Sequence, residues 1–146
     1  MMPEDLMKGN FVRIFDFPNT NPKLEQGYTI EIKSIISDSP YHGDVRICFT
    51  YSGKEEWVLL RDCYPIPLTE EILYKNGFRK LSDGDWELKY IDTNYSIVYS
   101  NGAIYLATFY TLSKDYVRIC VCEYVHELQN KCKMLDIGIP NKKFEV

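Results

Sequence analysis

The chain has 146 residues, 45% of them hydrophobic and 26% charged, with a formal net charge of −4. That composition excludes a wholly disordered chain, a collagen-like chain and a disulfide-dense miniprotein, and the acidic balance gives no sign of a basic nucleic-acid binder. The 12 Tyr, 7 Phe and 2 Trp favour strands and half-buried faces, so a β-rich fold is expected.

In chain order, Met2-Pro3-Glu4-Asp5-Leu6 reads as one helical turn, punctuated by Lys8-Gly9-Asn10. Phe11 to Phe15 is a short strand, and Asp16 to Gly27 is a turn-rich loop. Tyr28, Ile30 and Ile32 alternate with Thr29, Glu31 and Lys33, the pattern of a half-buried strand. A turn over 37–44 precedes a second alternating strand, Val45 to Tyr51. Ser52-Gly53-Lys54 then reverses the chain into a returning strand over 56–60. Four short strands between turn signals predict a small SH3-like antiparallel barrel over residues 1–64.

Tyr64-Pro65-Ile66-Pro67 is a stiff extended connector. Residues 70–76 carry a complete helix signal. Thr69 stands at the N-cap with Glu70 and Glu71 in the first turn. Leu68 and Leu73 form a hydrophobic staple, and Asn76-Gly77-Phe78 forms a Schellman-type stop. Strands are then expected from Trp86 to Tyr90, Tyr95 to Ser100, Ala103 to Tyr110 and Tyr116 to Cys122. Asn101-Gly102 makes a two-residue hairpin turn between the second and third of these. Over 124–136 the spacing becomes helical, with Val125, Leu128, Cys132 and Leu135 in one stripe and Glu127, Asn130, Lys131 and Lys133 off it. The stripe is expected to cover the preceding meander. The whole is therefore an α+β chain: a barrel half at 1–64, then a helix, a β-meander and a closing C-terminal helix at 65–146.

Two segments, Pro65-Ile66-Pro67-Leu68-Thr69-Glu70-Glu71-Ile72-Leu73-Tyr74-Lys75-Asn76-Gly77-Phe78 and Tyr124-Val125-His126-Glu127-Leu128-Gln129-Asn130, stand out together, as does the opening Leu6-Met7-Lys8-Gly9-Asn10-Phe11-Val12. With them the chain resembles a family of small proteins of gut Bacteroidetes and their mobile elements, marked by PIPLTxEILxKNGF, YVHxLQN and LxxGNxV motifs. The resemblance brings no activity with it. The chain departs from the family's pattern at Lys131-Cys132-Lys133, where a more apolar run is usual.

Five cysteines, Cys48, Cys63, Cys120, Cys122 and Cys132, are an odd count and read as free thiols. The acidic opening and the lack of an apolar run of about 18 residues predict neither a leader peptide nor a membrane helix, and hence a cytoplasmic protein. Cys120, Cys122, His126 and Cys132 are the residue types zinc prefers, but their spacing fits no standard zinc motif. Burial is their expected role, with no metal and no cofactor. His126 lacks a nucleophile motif nearby, and His42 lies in a turn, so no catalytic residue is assigned. Glu55-Glu56, Glu70-Glu71 and the pair Asp83 and Asp85 read as surface carboxylates.

Residues 1–67 carry 7 basic and 10 acidic groups and residues 68–146 carry 10 and 11, so nucleic acid is disfavoured as a partner. Only Lys75-Arg79-Lys80 and Lys131-Lys133 approach a basic cluster. The expected function is that of a non-enzymatic accessory or adaptor module binding a protein partner. The alternative is a nucleic-acid-binding accessory protein of a mobile element or phage.

Overall fold

A computed structural model describes residues 5–15, 27–37, 44–89, 95–110, 113–135 and 144–146. The fold is mostly β, with two helices and three antiparallel sheets. It divides into two units, one of residues 1–67 with 124–135 and the other of 68–123 with 136–146. Most of the expected turn at 37–44, most of the loop at 16–27, His42 and Tyr90 lie outside the described residues.

The first unit contains β1 (Phe11–Ile14), β2 (Tyr28–Glu31), β3 (Ser34–Ser37), β4 (Val45–Tyr51), β5 (Lys54–Leu59) and β6 (Cys63–Tyr64), with a 3-10 turn at Leu60–Asp62 before β6. They pair as two three-stranded sheets, β2-β1-β6 and β3-β4-β5. Only Ile32 and Lys33 separate β2 from β3, so one extended segment passes from the first sheet into the second. Among the described residues the two sheets form no closed barrel. Strand β3 was not anticipated, because Ser34-Ile35-Ile36-Ser37 has no clean alternation.

The inward positions do alternate as expected. Val12 and Ile14 on β1 meet Ile30 on β2 and Cys63 on β6. Ile47 on β4 lies opposite Ile35 and Val58. With Leu6, Ile32 and Phe49 these form one continuous core, in which each fully buried aliphatic or aromatic side chain contributes roughly 1.5–3 kcal/mol.

The second unit opens with α1 (Glu70–Lys75), then β7 (Arg79–Lys80), β8 (Trp86–Lys89), β9 (Tyr95–Ser100), β10 (Ala103–Tyr110) and β11 (Ser113–Val121). These strands form a five-stranded meander in which each pairs with its sequence neighbour. Both ends of α1 behave as the sequence dictates. Ile72 N–H donates to Thr69 Oγ1 at 3.3 Å, and Phe78 N–H reaches back to Leu73 O at 3.0 Å. Gly77 makes that return possible, at φ +87°. Asn101 and Gly102 both have positive φ (48° and 72°), the conformation of a type I′ hairpin turn.

One expectation fails on β8. The alternation of Trp86, Leu88 and Tyr90 with Glu87 and Lys89 predicts a polar face for Glu87, yet it is buried, as are Ser96 and Val98 on the neighbouring strand. Trp86, Leu88, Ile97 and Ile104 are buried on the opposite face, so the middle of this sheet is covered on both sides. The Glu87 carboxylate is kept by Ser96 Oγ, which donates to Oε1 at 2.9 Å, with Lys89 Nζ 4.0 Å from Oε2.

The last helix, α2 (Val125–Met134), corrects the expected architecture. It groups with residues 1–67 rather than with the meander. Val125, Leu128 and Cys132 are buried, but Leu135, the fourth residue of the predicted stripe, is exposed, because the helix has ended at Met134. Asn130, expected in solvent, is half-buried and hydrogen-bonded. No helix among the described residues is long and apolar enough to cross a membrane.

Candidate functional site

In the first unit the opening segment and α2 build a polar clasp. Segment 5–11 and α2 are about 120 positions apart in the chain, yet their side-chain amides interlock. Gln129 Oε1 accepts from Phe11 N–H at 2.9 Å, and Gln129 Nε2 donates to Gly9 O at 2.9 Å. Asn130 Nδ2 donates to Asp5 O at 2.7 Å, while its Oδ1 accepts from Asn10 Nδ2 at 2.8 Å. Asn10 is itself buried, and its Oδ1 accepts from Met7 N–H at 2.7 Å. Ahead of β1, Gly9 N–H and Asn10 O pair with the Ile32 backbone at 2.7 and 2.9 Å, but Asp5 O, Gly9 O and Phe11 N–H still need a partner, as backbone polar groups do. The Gln-Asn pair of α2 supplies it.

The connector is tied to the same helix. Val125 N–H donates to Ile66 O at 2.9 Å, and Pro67 pairs with Tyr124 as an isolated bridge. Glu127 closes the helix start by accepting from Tyr124 N–H at 3.0 Å. In the second unit Asn76 is buried. Its Nδ2 donates to Ile72 O and Glu145 O (2.8 and 2.7 Å), and its Oδ1 accepts from Glu145 N–H at 2.9 Å. The motif residues Gly9, Asn10, Thr69, Asn76, Gly77, Gln129 and Asn130 are thus engaged in holding backbone.

The thiol and imidazole residues are dispersed over both units. Cys120 is half-buried on β11 and Cys122 is buried just after it, while His126 and Cys132 are buried on α2. Among the described residues no group of three or more His, Cys, Asp or Glu side chains is disposed to hold a metal ion. Burial pushes the Cys132 thiol up to about 11. Burial, aided by Asp62, pushes Cys63 up to about 12, and its Sγ donates to Leu59 O at 3.6 Å. A thiol so placed is almost wholly protonated near neutrality and is a poor nucleophile. His126 stacks on Tyr124, with ring centroids 5.9 Å apart and planes 13° from parallel. Its Nδ1 is buried and makes no hydrogen bond among the described residues.

The carboxylate pairs are occupied or local. Glu70 holds Lys80 Nζ through both oxygens, at 2.8 and 3.0 Å, and Glu71 pairs with Lys75 at 3.0 Å. Two of the three cations in the Lys75-Arg79-Lys80 cluster are therefore already paired. Asp83 Oδ1 accepts from Asp85 N–H at 3.1 Å. Glu70, Asp83 and Asp85, with Trp86 and Tyr99, wall a cavity of about 440 Å³ in the second unit. Burial is the main influence raising the Tyr99 phenol, reinforced by Cys122 and Glu123.

The outer face of the first unit carries a different feature, missed at the sequence level. Phe15 and Tyr64 are exposed, yet they contact each other edge to face with centroids 5.1 Å apart. Arg13 lies opposite Tyr64 in the strand register. Trp57 and Ile36 are also exposed, on the β3-β4-β5 sheet. Phe15 and Tyr64 are about 50 residues apart in sequence, so only the β1–β6 pairing reveals the contact. Comparison with protein-family models, with curated proteins and with solved structures returns no match in any of the three.

Proposed function

We propose that this chain is a non-enzymatic accessory or adaptor module that binds a protein partner in the cytoplasm. The observation that carries the reading is the exposed Phe15–Tyr64 pair on the outer face of the first unit. Aromatic side chains held rigid yet exposed lose little entropy on binding and are enriched in protein interfaces. The order β2-β1-β6 with β3-β4-β5, the segment passing through Ile32-Lys33, and the 3-10 turn before β6 support an SH3-like reading of this half. The engaged state of the motif residues fits the same view, since it leaves them to maintain the fold while binding falls to the surface. Resemblance to small Bacteroidetes and mobile-element proteins places the partner search in such cells.

The test is affinity capture from a gut Bacteroidetes lysate with the wild-type chain and with the double variant Phe15→Ser, Tyr64→Ser. One protein recovered in stoichiometric amount by the wild type, insensitive to nuclease and lost with the double variant, is the expected result. Recovery of nuclease-sensitive material that both chains retain would instead favour the nucleic-acid-binding accessory role and overturn the adaptor reading.

A further inference from the structure

We propose that His126 is an acid-sensitive latch: protonation of its imidazole releases α2 from segment 5–11. The residue is 3% exposed, and its Nδ1 is enclosed with no hydrogen-bond partner among the described residues. A neutral ring tolerates that enclosure, because Nδ1 can be its unprotonated nitrogen and then has no proton to donate. An imidazolium does not, since both nitrogens must then donate and Nδ1 has no acceptor among the described residues. His126 is also the second residue of α2, and the amino end of a helix disfavours a cation.

The charged groups that bear on the ring come from both sides of the clasp. Glu127 on α2 and Asp5 in the opening segment favour the cation, while the chain's amino terminus opposes it. Glu127 is already committed to Tyr124 N–H. Burial outweighs both carboxylates and holds the imidazole below its ordinary value. The sign follows from this. An opened α2 exposes a histidine that titrates at about 6.5, so the open form binds more protons than the closed one. Opening is therefore unaffected by pH above that value and grows as pH falls below it. The ceiling at pH 5 is about a 30-fold increase in the opening constant, reached if the closed imidazole stays neutral throughout. Release would uncover Val125, Leu128 and Cys132, which are buried in the closed form.

Hydrogen exchange read by mass spectrometry at pH 7.5 and pH 5, corrected for the intrinsic pH dependence of exchange, tests the latch. Peptides from α2 are compared with peptides from β4 in the wild type, His126→Gln and His126→Phe. The expected result is acid-promoted opening of α2 by several-fold to about 30-fold in the wild type, no matching change in β4, and a flat response in both variants. Equal acid sensitivity in the variants, or an α2 indifferent to pH in the wild type, overturns the proposal. An NMR titration of the wild-type imidazole needs no variant: a midpoint at or above about 6.5 overturns it as well.

Discussion

In the second unit every strand pairs with its neighbour in sequence, β7 with β8 through to β10 with β11. In the first, β1 pairs with β2 on one side but with β6 on the other, joining Ile14 to Cys63. The segment ahead of β1 is then fastened to a helix about 120 residues downstream. The units also differ in the chemistry of their longest-range contacts. The meander rests on hairpins and two buried sheet faces, with remote polar ties from Leu68 N–H to Glu123 O and between Asn76 and Glu145 among the described residues. The first unit gathers five side-chain hydrogen bonds among Asp5, Met7, Gly9, Asn10, Phe11, Gln129 and Asn130. Both units are discontinuous, but the tie from Gly9 to Gln129 closes a longer loop than the tie from Asn76 to Glu145, and a longer loop loses more chain entropy. It needs anchors with direction, and amide side chains bonded to backbone have direction.

The largest effect that sharpens this contrast is expected at Leu128, which is fully buried on α2. Leu128→Ala should cost roughly 2–5 kcal/mol in denaturant unfolding, the range for truncations in a packed core. Lys131→Ala, one turn away and off the stripe, should change stability by less than about 0.5 kcal/mol. A neutral Leu128→Ala would mean that α2 is held by its polar clasp alone and that the apolar stripe adds nothing.

Gln129 isolates the polar contribution. It serves Phe11 N–H and Gly9 O at once, so Gln129→Ala leaves two part-buried backbone groups without partners. The expected loss is about 1–3 kcal/mol, with faster exchange of the Phe11 amide and little change in β9 and β10. Gln129→Glu is the sharper variant. Its carboxylate still accepts from Phe11 but faces Gly9 O with no hydrogen to give. Equal stability of Gln129→Glu and the wild type would show that the clasp does not depend on the Gly9 bond.

How much of this was legible in the sequence follows the same divide. The α1 caps, the Asn101-Gly102 turn and the bounds of β9 and β10 depend on residues within a few positions of one another, and each was readable. The clasp was not. Gly9-Asn10 and Gln129-Asn130 look like a turn and a polar helix face, and nothing local says that one completes the other. Placing α2 on the meander was the natural inference from proximity in sequence, and tertiary packing overrode it. Glu87 escaped because a carboxylate in an alternating strand reads as solvent-facing, and only the sheet order shows that both faces are covered. The exposed Phe15–Tyr64 pair was hidden by the same long-range β1–β6 pairing.

The smallest expected effect lies in the second unit, at an exposed ion pair. Glu70 holds Lys80 through both carboxylate oxygens, and Lys80 Nζ also lies 5.6 Å from the centre of the Trp86 ring. The hydrogen bond from Lys80 is the main cause holding the Glu70 carboxyl below its ordinary value, with a lesser contribution from Trp86. For a carboxylate lowered in the folded state, any stabilisation is complete above its ordinary value and is lost as pH falls through the lowered one. Both side chains are largely solvated, so salt should screen the pair strongly. Lys80→Met keeps the aliphatic stem against the ring and removes only the charge. A carboxyl ¹³C titration should find the Glu70 midpoint raised in Lys80→Met and in the wild type at 1 M salt, because the Lys80 contact is the main cause lowering it. The chevron and the urea midpoint should scarcely move. A clear loss of cooperativity in Lys80→Met would instead make this pair a true anchor of the meander, and the chemical distinction between the two units would fall with it.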